Sequence, residues 1–308
     1  MSTSGIVLVD KPAGITSHDV VSRIRRIAGT RKVGHAGTLD PMATGLLVIG
    51  IDSSTRLLTY LVGLDKQYLA TIRLGWATTT DDAEGEPLGP PTDTTGITVE
   101  AIREAILPLT GQISQVPSSV SAIKVDGKRS YDRVRDGEEV VLAARSVTVS
   151  AFDVLDTRLG ARGVELDVRV DCSSGTYIRA LARDLGDALG VGGHLIALRR
   201  TRVGPFRIED ATPLPERDEP GTALLGSVLT PASAARRLFP DVILTAQERI
   251  ELQQGKRPTL SALDGALADS AGPIAAIGED GELTGLISAS AGVARVLVNF
   301  PTGSGGAA

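Results

Sequence analysis

Apolar side chains run almost unbroken through GIVLVDK (5–11) to a Pro-Ala-Gly turn, the pattern of a buried strand closed by its turn. The period then changes. Val20, Ile24 and Ile27 recur on one helical face while Arg23, Arg25 and Arg26 lie largely off it, and Ser17 stands where an N-cap is needed. TGLLVIGI (44–51) reads as a second buried strand and STRLLTYLVG (54–63) as a helix. In KQYLATIRLG (66–75), Tyr68, Ala70, Ile72 and Leu74 alternate with Gln67, Leu69, Thr71 and Arg73, the two-residue period of a strand. A polar, Pro/Gly-rich loop covers about 76–97, and VEAIREAILPL (99–109) is helical until Pro108 interferes.

The polar segment 124–139, with Gly127 and Gly137, predicts a loop containing one helical turn. Strands follow at about 145–156 and 163–172. Thr176 is placed to cap TYIRALARDLGDALG (176–190), with Ala180, Leu181, Leu185, Ala188 and Leu189 toward the core, and HLIALRRTRVGPF (194–206) returns as a strand. Strands outnumber helices and many strand-to-strand connections are short. The expectation is therefore an α+β fold: a mixed, largely antiparallel sheet with helices packed on it. An acidic, Pro/Gly-rich connector covers 208–230. TAQERIELQQG (245–255) carries the capping box Thr245/Glu248 and a terminal Gly255. PIAAIG, ELTGLIS and ARVLVNF then form three short strands of a small β-rich unit spanning 240–301, and 302–308 is a flexible tail.

With 308 residues, 42% of them hydrophobic and 22% charged, the chain suits one large domain (1–230) and one small one. No run approaches the roughly 18 apolar residues of a membrane span. The start has neither the basic nor the apolar region of a secretion signal. Cys172 is the only cysteine, which excludes an internal disulfide and a cysteine zinc cluster. A cytoplasmic location is the expectation. The net charge of −5 hides an uneven distribution: 16 of the 32 basic residues fall in 23–32, 124–135 and 179–207, beside only 4 acids. Three such clusters predict one positive side for a polyanion.

Composition and spacing alone give weak chemistry. GHAGTLDPMATGLLVIG (34–50) holds a single acid, Asp40, before a proline, a position that also suits a turn former. No second acid stands out as the mate a glycosidase would need. His18, His35 and His194 lack metal-ligand spacing, and no serine sits in a nucleophile elbow.

Five segments together decide the matter. GIVLVDKPAGITSHDVV, GHAGTLDPMATGLLVIG, KQYLATIRLGWATTTDDAEG, SSGTYIRALARDLG and LRRTRVGPF occur in the order found in the bacterial tRNA pseudouridine synthase B (TruB) family, which the chain strongly resembles. The G-T-L-D form also separates this group from relatives that modify ribosomal RNA and carry G-R-L-D. The resemblance implies a pseudouridine synthase fold ending in a PUA-like RNA-binding domain. It further implies isomerisation of the T-loop uridine at tRNA position 55, with no cofactor or metal and no membrane partner. A stand-alone monomer is the expectation. One carboxylate suffices, because the leaving base is also the returning nucleophile.

Residue by residue, the family's catalytic aspartate falls on Asp40 and its arginine partner on Arg179. A guanidinium beside a carboxyl lowers its pKa by roughly 1–3 units and so offsets burial. Tyr68 matches the tyrosine that stacks on the uracil of a flipped-out nucleotide. Tyr177 and Leu198 match pocket-lining positions, His35 a histidine that holds the everted nucleotides, Asp82 the acid of the turn after the tyrosine strand, and Lys11 the opening-motif lysine. The family's thumb-like loop corresponds to about 120–142, whose Lys128, Arg129 and Arg133 would meet phosphates of the T-arm. Two rivals stand beside this reading: a chaperone that opens the tRNA elbow without chemistry, and the same chemistry on another RNA.

Overall fold

The structure, a computed structural model, describes residues 4–118, 124–125, 128–129, 142–160, 163–263 and 265–300. β1 (Gly5–Lys11) is buried over most of its length and leads into α1 (Ser17–Ala28). The cap of α1 is Thr16, not Ser17. Its hydroxyl accepts the Asp19 N–H while the Asp19 carboxylate accepts the Thr16 N–H, a reciprocal pair that occupies two otherwise orphan donors. β2 (Val33–His35) and β3 (Thr44–Ile51) follow. The expected helix after them opens as a 3₁₀ stretch, Asp52–Leu57, before α2 (Leu58–Val62). β4 (Lys66–Leu74) alternates as its sequence requires, with Tyr68, Ala70, Ile72 and Leu74 inside.

α3 (Val99–Ile106), capped by Thr98, ends in a 3₁₀ turn at Pro108, as the proline demands. β5 (Gly111–Gln115) comes next, a strand the sequence pattern left unassigned. Of the expected loop at 124–139, the described part is a pair of two-residue strands, β6 (Lys124–Val125) and β7 (Lys128–Arg129). The single helical turn expected in that segment is not among the described residues. β8 (Arg145–Gly160) runs four residues past its expected end and pairs along its length with β9 (Gly163–Cys172).

α4 (Ile178–Ala188) starts at Tyr177 without a side-chain cap; the Thr176 hydroxyl turns back to donate to the Ser173 carbonyl instead. β10 (Gly193–Val203) and β11 (Phe206–Arg207) form the last long ribbon. The connector is more ordered than its composition suggests. It supplies β12 (Thr212–Pro213), paired in parallel to β1, and α5 (Thr222–Gly226); α6 (Pro231–Leu238) follows. β13 (Asp241–Leu244), α7 (Ala246–Gln253), β14 (Ile274–Gly278), β15 (Leu283–Ser290) and β16 (Val293–Asn299) complete the described chain.

The large sheet runs β12-β1-β3-β10-β4-β9-β8-β5, with β2 beside β3 and β11 beside β10. Its two halves meet at one short parallel joint, Thr44–Arg199 and Gly45–Arg200, while the neighbouring pairings β1–β3, β10–β4 and β4–β9 are antiparallel. On one half, α3 and α4 bury Ile102, Ile106, Ile178, Leu181 and Leu185 against β4 and β9. On the other, α1 lays Val20, Val21 and Ile24 on β1 and β3, whose opposite face packs α6 and the β14–β15 hairpin. The C-terminal sheet, β13-β14-β15-β16, thus shares a hydrophobic cluster with β1 and β3. The site lies at the central joint.

Candidate active site

Asp40 sits in the loop that connects β2 to β3, and three buried groups hold that loop. The Ser17 hydroxyl, at the start of α1, accepts the Leu39 N–H at 2.9 Å and donates to the Leu39 carbonyl at 3.1 Å. Ser17 therefore anchors the residue before Asp40 rather than capping its helix. The Lys11 ammonium donates to the carbonyls of Pro12 (2.9 Å), Ile15 (2.7 Å) and Pro41 (3.2 Å), so it braces the residue after Asp40. Lys11 is fully buried, and burial pushes it down to about 8 although the nearby Asp40 charge acts the other way. The third group is Arg200, in the strand beside β3.

Arg179, on the first turn of α4, joins two carboxylates. Its Nε lies 3.0 Å from Asp40 Oδ2 and its Nη1 3.3 Å from Asp82 Oδ2, while Nη1 also donates to the Thr80 carbonyl at 2.9 Å. The Arg179 and Asp82 side chains are 5% exposed, whereas that of Asp40 is 37% exposed. The acid is thus tethered at one oxygen and open on another side. Asp82 itself is held by the Thr80 hydroxyl (2.5 Å) and the Glu84 N–H (3.0 Å). Its turn is bolted to β10: the Leu195 N–H donates to the Asp81 carbonyl and the Ala83 N–H to the Leu195 carbonyl.

Tyr68 and Leu198 lie in one buried cluster with Leu39 and Ala43, the apolar neighbours of Asp40 in sequence. Burial pushes the Tyr68 phenol up, so it remains protonated at neutral pH. Tyr177 is half-buried, and its backbone is gripped by the Gln115 side chain, which accepts the Tyr177 N–H at 2.8 Å and donates to its carbonyl at 3.1 Å. His35, on β2, is pushed down by burial and then by the Arg200 charge, which keeps it neutral. Its Nδ1 is buried with no hydrogen-bond partner. Lys128 and Arg129 form β7, and Arg133 lies outside the described residues.

Many arginines of two basic clusters are committed within the fold. In 179–207, Arg179, Arg183, Arg199 and Arg202 are each paired to carboxylates and Arg200 is buried. In α1, Arg23 and Arg26 donate to the Pro215 and Arg217 carbonyls of the connector. These arginines assemble the fold rather than forming a free phosphate face. Gln115 and Arg200 have no assignment in the sequence, and Ser17 reads there only as a cap, because their partners are backbone groups brought close only by folding. Among the described residues no group of three or more His, Cys, Asp or Glu could hold a metal ion.

Residues 25–178 match the TruB family pseudouridylate synthase (N terminal domain), and residues 179–216 match the tRNA pseudouridylate synthase B C-terminal domain. The second match covers α4 to β12 and ends before the four-stranded C-terminal sheet. The chain is 58% identical over 303 residues to a tRNA pseudouridine synthase B of Leifsonia xyli subsp. xyli (strain CTCB07), covering 98% of each. It is 56% identical over 307 residues to that of Paenarthrobacter aurescens (strain TC1), covering 98% of this chain and 96% of the relative. Among solved structures it is similar to a Cbf5-Nop10-Gar1 complex, with a TM-score of 0.70 and 25% identity over 97% of this chain and 84% of that one. The fold is shared with an H/ACA RNP bound to a substrate RNA containing 2'-deoxyuridine, at a TM-score of 0.69 and 22% identity over 98% of this chain and 87% of that one. With sequence match and architecture in agreement, the chain belongs to the TruB family of pseudouridylate synthases.

Proposed function

We propose that the chain converts uridine to pseudouridine in tRNA, at position 55 of the T-loop, with Asp40 as the catalytic carboxylate. The observation that carries this reading is the Asp40–Arg179–Asp82 chain of ion pairs, which presents a partly exposed carboxylate beside a buried guanidinium. The reaction breaks the bond from ribose C1′ to uracil N1 and forms one from C1′ to C5; the C5 proton leaves and N1 gains one. The base is retained, so no acceptor is consumed. Asp40 acts either on C1′, on a ribose proton or on the uracil ring, and each route needs one carboxylate.

A stacked uridine must first be everted. Tyr68 and Leu198 give the base a flat apolar surface, worth about 1–3 kcal/mol per stacked base. Tyr68, neutral at working pH, is equipped to take part in moving the C5 proton. Tyr177 lines the pocket, His35 holds the everted nucleotides, and Asp82 fixes Arg179. Lys11 acts by bracing the loop, since its ammonium is wholly enclosed.

Mapping pseudouridine in an unmodified tRNA transcript tests the reading. Wild type should place it in the T-loop alone, and Asp40→Asn should place none. Equal signal from both proteins removes Asp40 from the mechanism. Faster tRNA folding without any pseudouridine would establish the chaperone reading instead.

A further inference from the structure

We propose that Arg200 is a positioning residue that fixes the Asp40 loop to β3, beside the strand that carries Tyr68, an inference that rests on the reading of Asp40 given above. Arg200 lies on β10 at the central joint, with Gly45 of β3 as its register partner on one side and Tyr68 of β4 on the other. Its guanidinium is 1% exposed, and Arg200 is among the largest fully buried side chains of the protein. Nε donates to the Leu46 carbonyl at 2.8 Å, Nη2 to the Gly37 carbonyl at 3.0 Å and Nη1 to the Thr38 carbonyl at 3.4 Å. The register sets Tyr68 directly opposite Arg200, and the guanidinium charge acts on the Tyr68 phenol against the burial that pushes it up. One planar group therefore ties β3 to the two residues at the approach to Asp40, at the strand position that pairs with Tyr68, the residue expected to receive the base.

The chemistry of that choice is informative. A buried cation is expensive to desolvate, and an apolar side chain of similar volume often serves stability as well or better. Among the described residues no carboxylate lies within salt-bridge distance of Arg200. Backbone carbonyls are its hydrogen-bond partners, so the residue is not retained for an ion pair. What a guanidinium offers is a rigid fork of five N–H donors whose directions are fixed relative to one another. An ammonium on a flexible stem cannot span the same acceptors. Gly37, whose carbonyl accepts from Nη2, has a φ of +89°, so the loop that the fork holds takes a backbone conformation that favours glycine. The charge is felt locally as well, for it adds to the causes that push His35 and Lys11 down.

The test uses full-length protein carrying Arg200→Lys, Arg200→Gln or Gly37→Ala, with Asp40→Asn in parallel. Single-turnover pseudouridine formation at saturating tRNA is measured beside tRNA affinity and the circular dichroism spectrum. Displacing reacting groups by about 1 Å can cost roughly 100-fold in rate. Arg200→Lys is therefore expected to lose about 100-fold in single-turnover rate while its tRNA affinity stays within about 3-fold of wild type. NMR titration of His35 separates charge from geometry: its midpoint should rise in Arg200→Gln and stay near the wild-type value in Arg200→Lys. If the Arg200 variants do not fold, Gly37→Ala, which keeps the guanidinium but strains the loop backbone that the fork holds (φ +89°), must show the rate loss with an intact spectrum. A wild-type rate in folded Arg200→Lys, or in Gly37→Ala, overturns the inference, as does a loss confined to tRNA affinity. Full activity in Asp40→Asn would overturn the underlying reading of the site, whereas an inert Asp40→Asn beside a fully active Arg200→Lys overturns the role of Arg200 alone.

Discussion

At the scale of single residues, the site is a set of charges whose positions depend on one another. Asp82 holds Arg179, and Arg179 holds Asp40. Asp82→Asn removes one charge-assisted contact, typically about 1.5–3 kcal/mol, and leaves the Asp40 tether in place. Single-turnover rate at saturating tRNA should fall about 10- to 100-fold, with tRNA affinity nearly unchanged; rapid-quench kinetics beside a binding titration checks this. Asp40, Arg179 and Asp82 are far apart in sequence, and only the order of their motifs assigns them. Ser17, Gln115 and Arg200 carry no such mark, because a serine, glutamine or arginine bonded to distant carbonyls has no local pattern. His194 yields a pH prediction. Burial pushes it down, and its Nδ1 lies 3.0 Å from the Trp76 carbonyl. Below about pH 6.5 an unfolded histidine takes up a proton that the folded one still refuses. The unfolded state then binds more protons, so stability falls as pH drops through that value and levels off once the folded group titrates. Melting temperature should be lower at pH 5.5 than at pH 7.5, and His194→Gln should shrink that difference.

At the scale of elements, local chemistry explains what the sequence pattern could and could not place. The alternation in β4 and the capping box of α7 were legible because neighbouring residues decide them. The start of α1 was misplaced by one position because Thr16 and Ser17 are both good caps. Only the fold draws the Ser17 hydroxyl away to Leu39. β5 is short and follows Pro108, and its assignment depends on β8, residues away along the chain. The central joint is tightly constrained. Gly45 has φ +101°, and a Cβ there would lie 2.3 Å from the Arg200 carbonyl oxygen. Two strands approach so closely that any side chain must part them. Gly45→Ala should therefore destabilise the protein by about 3 kcal/mol or more, through strain and overpacking together. Thr16→Ala, which removes one cap, should cost about 1 kcal/mol. Urea unfolding of the two variants should rank them in that order.

At the scale of the whole molecule, net charge and binding surface come apart. A chain of net charge −5 meets a polyanion, and many of its arginines are already committed to carboxylates and carbonyls of the fold. The basic positions of the 124–135 segment are the ones the sequence assigns to phosphate. Arg23 belongs to the other class, since its guanidinium ties α1 to the Pro215 carbonyl at 3.1 Å. The two classes separate in a salt titration. Each phosphate contact released contributes a slope of roughly 0.7–0.9 in log affinity against log salt, depending on whether the site is single- or double-stranded. Neutralising Lys128, Arg129 and Arg133 together should lower the slope by about 2–3 and weaken tRNA binding, most visibly at low salt. As groups assigned to phosphate contact, they leave the single-turnover rate at saturating tRNA near wild type. Arg23→Gln should do the reverse: the slope stays, and the melting temperature falls as the connector loses its anchor. Complete loss of turnover in the triple variant under saturation, with binding intact, would move those residues from the binding surface into the chemistry. An unchanged slope would take them off the RNA altogether, and would leave the positive side of this acidic protein to residues outside that segment.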